Sequence, residues 1–239
     1  MKRFYLSVLF LCSFGSLFAG GPSFAFCDYS QGKVFIQENG EIVWEHKAPD
    51  SNDIWVLPNK NILFTAGKEV LEVSRKNDTI FHYTSESNIF ACQRLKNGNT
   101  FIGECDNGRL LEVSPDGSIV KDVSILPFGV KTGGHAFMRN ARCLDNGHYL
   151  VAHYGGKSVV EYDENGKAVW NIPISGGAHS VIRLPSGNTL VAVTDKDNNP
   201  GVFEYDMAGN IVWSLTNKDL PGTLKFAGGM HYLSDGRLF

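Results

Sequence analysis

The sequence has no second apolar run long enough to cross a bilayer. Outside residues 4–19, no segment approaches the roughly 20 apolar residues that a spanning helix needs. It has no C-x-x-C pair, which removes the usual zinc and thioredoxin-like arrangements. It has no excess of positive charge either: 22 Lys and Arg against 25 Asp and Glu give a net charge of -3. Nucleic acid and anionic membrane surfaces are therefore not expected partners. Uninterrupted helical stretches are also scarce, because 26 Gly and 9 Pro, many in Asn-Gly, Asp-Gly and Ser-Gly pairs, punctuate the chain at short intervals. What is present is 43% apolar and 12% aromatic residues, enough to build a core, so disorder is excluded and an all-β fold is indicated.

Lys2 and Arg3 precede the apolar run at 4–19, and the small residues Ala19, Gly20 and Gly21 follow it, the layout of a secretory signal peptide. The expectation is a signal over 1–19, a folded unit over 20–239 and a periplasmic or secreted location. Cys12 leaves with the signal. Cys27, Cys92, Cys105 and Cys143 then allow three pairings in a compartment that permits disulfides.

Two interleaved ladders of similar segments run through the chain. One reads ENGEIVW (38–44), RKNDTIFHY (75–83), PDGSIV (115–120), ENGKAVW (164–170) and MAGNIVW (207–213). The other reads LPNKNILF (57–64), LKNGNTFI (95–102), LDNGHYLV (144–151), LPSGNTLV (184–191) and LSDGRLF (233–239). Each period, 38 to 49 residues long, resolves into two hairpins, and so into four short antiparallel strands labelled A to D from the inside outward. That is the blade of a β-propeller, in which each sheet buries both faces against its neighbours. About five blades are covered. The chain opens on a strand B and stops inside an A-B hairpin, so the expected whole is a ring of six or seven blades.

The repeats resemble those of the quinoprotein-like superfamily, which includes PQQ-like repeat proteins and arylsulfotransferase-like propellers. EYDENGKAVW (161–170) and EYDMAGNIVW (204–213) are similar to its tryptophan docking motif, with Trp44, Trp170 and Trp213 in three of five repeats. The motif speaks for the fold rather than for the quinone. Quinone-binding members carry an adjacent Cys-Cys pair, and none occurs here, so PQQ is not expected. The stretch GGAHSVIRLPSGNTL (176–190) resembles the histidine-bearing strand of arylsulfotransferase-like propellers. That resemblance implies His179 as nucleophile, with Arg139 or Arg183 holding sulfate oxygens.

Residues that recur in every blade read as packing, and residues that break the symmetry read as function. Glu72, Glu112, Glu161 and Glu204 recur in strand C and are expected to sit between blades, with Arg94, Arg142 and Arg183 as candidate partners. The D-A and B-C connections vary in length while the A-B and C-D turns are uniformly tight, so the face carrying the former is the candidate binding face. It gathers His135, His153, Tyr154, His179 and His231, three of the histidines following Gly-Gly pairs. The expected role is a module binding a polar or anionic ligand, or a protein, at the channel mouth, without defined catalysis. One loop, Asp195, Asp197 and Asn199, spaces oxygen ligands as a calcium loop does, but Pro200 stands where such loops need glycine. Apart from that cation, no cofactor is expected.

Overall fold

The computed structural model describes residues 23–127, 129–194, 200–233 and 235–239. The proposed signal segment and the loop holding Asp195, Asp197 and Asn199 lie outside the described residues. Nineteen antiparallel strands form five blades of a β-propeller, and no helix occurs among the described residues. Blade 1 has three strands: β1 (Phe24–Asp28), β2 (Lys33–Glu38) and β3 (Glu41–Lys47). Blade 2 runs β4 (Ile54–Val56), β5 (Ile62–Ala66), β6 (Glu69–Val73) and β7 (Thr79–Thr84). Blade 3 runs β8 (Ile89–Arg94), β9 (Thr100–Glu104), β10 (Arg109–Val113) and β11 (Ile119–Ser124). Blade 4 runs β12 (Asn140–Cys143), β13 (Tyr149–His153), β14 (Ser158–Tyr162) and β15 (Ala168–Pro173). Blade 5 runs β16 (Gly177–Arg183), β17 (Thr189–Thr194), β18 (Gly201–Tyr205) and β19 (Ile211–Thr216). The last residues make a bridge between Tyr232 and Leu238. They lie beside the first blades: Phe239 meets Phe24 at 5.2 Å and His231 meets Trp55 at 6.1 Å between ring centroids.

The core is a series of seams between sheets. One seam joins Leu63, Val70 and Phe81 of blade 2 to Ile89, Ile102 and Leu111 of blade 3, and the next joins Phe101 and Leu110 to Ala141, Tyr149 and Val151. Strand B is therefore covered on both faces. β5, β9, β13 and β17 are buried at every residue, which is why TLVAVT shows no polar alternation.

The A-B turns are tight, as expected, but they are not the two-residue type I′ connection common in hairpins. In the turn of blade 3 the Gly98 N–H donates to the Leu95 carbonyl at 3.0 Å, and the Leu95 N–H to the Asn99 carbonyl at 2.8 Å. Gly98 is the one residue of this turn with positive φ, whereas a type I′ turn needs two. The C-D turn of blade 1 is the type I′ case, with Asn39 and Gly40 both at positive φ and Glu38 paired with Glu41.

Of the strand C glutamates, Glu72 and Glu161 reach across to the next blade as expected, and their partners come from two sources. Glu72 accepts from Arg94 of the next blade at 2.6 Å and from Asn61 of its own A-B turn at 2.6 Å. Glu161 accepts from Arg183 at 2.6 Å and from His148 at 2.7 Å. Each arginine also stacks on a strand D aromatic ring, Phe81 at 5.3 Å and Trp170 at 4.6 Å. Glu112 and Glu204 are served by Asn99 and Asn188, each at 2.6 Å. Arg142 is the exception to the expected pairing. It lies two residues before Leu144, whereas Arg94 and Arg183 immediately precede Leu95 and Leu184, so alternation along the strand points it elsewhere.

Cys27, Cys92, Cys105 and Cys143 are free thiols. Burial raises all four thiol pKa values, Cys27 to about 12 and Cys105 to about 11.

Candidate functional site

The leucines that open the A-B turns, Leu57, Leu95, Leu144, Leu184 and Leu233, align the inner strands of the blades. Two residues before them stand Trp55, Gln93, Arg142, Ile182 and His231; five before stand Asn52, Phe90, Arg139, His179 and Gly228. Neither set repeats a residue type, as expected of a site rather than a packing position.

The lower set is closed by contacts across the channel. Arg142 makes a bidentate ion pair with Asp53 of blade 2, 2.6 and 3.0 Å, and its guanidinium lies 5.1 Å from the Trp55 ring centroid. The Trp55 indole N–H donates to the Cys92 carbonyl at 2.6 Å, and His231 sits edge-on to the Trp55 ring. Asp53 is 6% exposed and also accepts the Cys92 N–H at 3.0 Å. A buried carboxylate is thus matched by one guanidinium and one amide.

The upper set owes its position to irregular backbone. The pairing of β8 with β9 skips Phe90, and that of β16 with β17 skips His179. A bulge residue of this kind is turned out of the strand's alternation and re-aimed. Arg139 holds the equivalent place just before β12, its N–H bonded to the Ala152 carbonyl at 3.0 Å. Its guanidinium lies 4.8 Å from the Phe90 ring centroid and 5.5 Å from that of Tyr154. One Nη donates to His135 Nε2 at 2.8 Å, and Nε is buried with no partner. His179 stands edge-on to Tyr154 at 6.3 Å and to Phe226 at 4.9 Å. Burial, with the nearby Arg139 charge, pulls the His179 pKa down to about 4, so its ring is neutral at physiological pH.

The charge balance singles out Arg139. Every other arginine among the described residues has a carboxylate partner: Arg75 with Glu38, Arg94 with Glu72, Arg109 with Glu104 and Asp122, Arg142 with Asp53, Arg183 with Glu161, and Arg237 with Asp235. Arg139 has none among the described residues. A half-buried guanidinium with stacked faces, a histidine nitrogen as acceptor and no carboxylate partner among the described residues has donor capacity that an anion could take up.

The structure brings together four of the seven residues expected on this face or in catalysis: His135, Arg139, Tyr154 and His179. Arg183 does not join them, being held in the seam by Glu161 and Trp170. His153 also stands apart. It is 6% exposed, its Nδ1–H donates to the Phe137 carbonyl and its Nε2 accepts from the Tyr162 hydroxyl, both at 2.9 Å, so both ring nitrogens are engaged. Its pKa is lowered by burial. His231 belongs to the lower set. Phe90 and Phe226 escape sequence reasoning because an aromatic residue in an apolar strand or a loop carries no motif.

The Gly-Gly pairs have a packing cause. A side chain at Gly177 would strike the Tyr154 ring, one at Gly133 the Phe137 ring, and one at Gly228 would press on Phe226 at 3.2 Å. Each glycine makes room for an aromatic ring that touches a histidine.

No protein-family model and no curated protein matches the chain. Solved structures do. A protein of unknown function from Bacteroides caccae is similar with a TM-score of 0.78 and 23% identity, over 90% of this chain and 80% of that one. Virginiamycin B lyase from Staphylococcus aureus, in a catalytically inactive histidine-to-alanine form with quinupristin, is similar with a TM-score of 0.58 and 14% identity, over 90% and 75%. BBS1N in complex with ARL6DN is similar with a TM-score of 0.57 and 18% identity, over 86% and 64%. At these identities the likeness is one of fold, and what these comparisons establish is that the chain is a β-propeller.

Proposed function

We propose that this protein is an exported β-propeller that binds a small anionic ligand at the loop-face mouth of its channel, with Arg139 as the charged anchor. The observation that carries this reading is the aromatic-stacked Arg139, without a carboxylate partner while every other described arginine has one. His135 orients the guanidinium, Tyr154 backs it, and neutral His179 offers a hydrogen bond without adding charge. The test is isothermal titration with acetate and sulfate: binding that disappears in Arg139→Met and persists in His153→Gln supports the reading, and binding indifferent to Arg139→Met refutes it.

A second reading is sulfuryl transfer, favoured by the neutral imidazole of His179 next to an unpaired guanidinium. An imidazole nitrogen would attack the sulfur of an aryl sulfate, forming the N–S bond as the S–O bond breaks and the phenolate leaves. The oxygen of an acceptor hydroxyl would then attack the same sulfur, forming the new O–S bond as the N–S bond breaks, with the hydroxyl proton passing to the released imidazole nitrogen. Arg139, not Arg183, would hold the sulfate oxygens. Transfer from an aryl sulfate lost in His179→Ala and kept in His153→Ala supports it; no turnover with any donor removes it. A quinone-dependent oxidoreductase has no such observation in its favour, and a protein partner, as for BBS1N, is carried by the fold likeness alone.

A further inference from the structure

Two features of the mouth specify more than an anion. The first is charge. Of the two arginines that line the channel from the strand of blade 4, Arg142 is neutralised by Asp53 through two hydrogen bonds. His179 carries no charge at neutral pH, and among the described arginines Arg139 is the one left without a carboxylate. The second is apolar surface beside that charge. Phe226 is 53% exposed on the loop that follows β19, and its ring reaches His179 at 4.9 Å. Tyr154 contacts both Arg139 and His179. Tyr29, 61% exposed on the loop after β1, has its pKa raised by a hydrogen bond to Asp50 and also lies close enough to feel the Arg139 charge. An exposed phenylalanine edging the neutral histidine, with a tyrosine that touches both that histidine and the half-buried guanidinium, is a poor match for a fully hydrated inorganic ion and a good one for an ion with an apolar body.

We propose that the ligand is an organic anion with an aromatic or comparably apolar body, whose charged end meets Arg139 and whose body lies against Phe226 and Tyr154. The inference rests on the anion-binding reading above and adds the ligand's apolar part.

The test is calorimetric titration of the whole protein with acetate, phenylacetate, phenyl sulfate and inorganic phosphate. Phenylacetate or phenyl sulfate is expected to bind roughly tenfold tighter than acetate, the worth of burying most of a phenyl ring. Phosphate should bind no tighter than acetate. Phe226→Ala, at an exposed position that does not threaten folding, should erase the advantage of the aryl ligands while keeping acetate binding; Arg139→Met should abolish both. Which aryl ligand binds better separates a carboxylate from a sulfate ester as the natural head group. Equal binding of acetate and the aryl ligands, with dependence on Arg139 retained, overturns the inference and leaves the anion site standing; no Arg139-dependent binding overturns both.

Discussion

Substituting the Arg183–Glu161 pair measures what the inter-blade ionic seams contribute. Glu161 is 9% exposed, and its oxygens take Arg183 at 2.6 Å and His148 at 2.7 Å. Arg183→Met leaves the carboxylate with His148 alone and removes the stack on Trp170. Breaking a buried pair by removing one partner costs roughly 3–5 kcal/mol, and the retained His148 bond places this one near the lower end, about 3 kcal/mol. The protein supplies its own apolar alternative. Buried Ile36 pairs with Trp44 across strands as Glu161 pairs with Trp170, and Val56, half exposed, precedes Leu57 as Arg183 precedes Leu184, so the first seam has apolar residues at the positions where this one has Glu and Arg. The double variant Glu161→Ile, Arg183→Val is therefore expected to cost about 1 kcal/mol or less, because no charge is stranded. Urea unfolding followed by tryptophan fluorescence reads both: the single variant should lower the midpoint by about 1 M or more, and the double variant should recover most of it. A single-variant cost below about 1 kcal/mol, or a double cost equal to the sum of the singles, would refute the reasoning.

Three further expectations follow from the same contacts. Arg139→Met should cost less than about 1 kcal/mol, since it strands no carboxylate, while Arg142→Met should cost about 3 kcal/mol by leaving Asp53 buried; comparable urea midpoints for the two would contradict the charge balance. Gly177→Ala should displace the Tyr154 ring and lower anion affinity several-fold, with a chemical-shift change at His179; unchanged affinity and shift would show that the ring has room to move. His179 and His153 are held neutral in the fold, with pKa values below the ordinary 6.5, His179 at about 4. The unfolded chain then binds more protons between pH 6.5 and 4, so their contribution is intact above 6.5 and is lost as pH falls through that window. His179→Phe should flatten the fall in urea midpoint between pH 7 and 5, and an unchanged slope would contradict it.

The repeat was legible because a propeller blade imposes the same demands each time: a leucine before the A-B turn, a positive-φ residue in the turn, a fully buried strand B and a β-branched strand D. Those are local requirements, and they recur at fixed spacing whatever the ring does. The loop-length contrast was legible too, since turns between paired strands are short and connections between blades are free to vary. The role of Arg139 was only half visible. Its place near the mouth follows from the sequence, but its lack of a counter-ion depends on where six other arginines find theirs. Arg142 shows the limit most sharply. Its partner Asp53 lies 89 positions away across the channel, and no spacing rule connects them. Phe90, His179 and Arg139 come together because strands of three blades converge on one axis and backbone irregularities turn their side chains toward it. The sequence by itself determined the blades, their order and the face that varies; only the tertiary structure decided which arginines are paired within the fold and which described one is left without a carboxylate, because pairing across a ring is a property of distance in space and not along the chain.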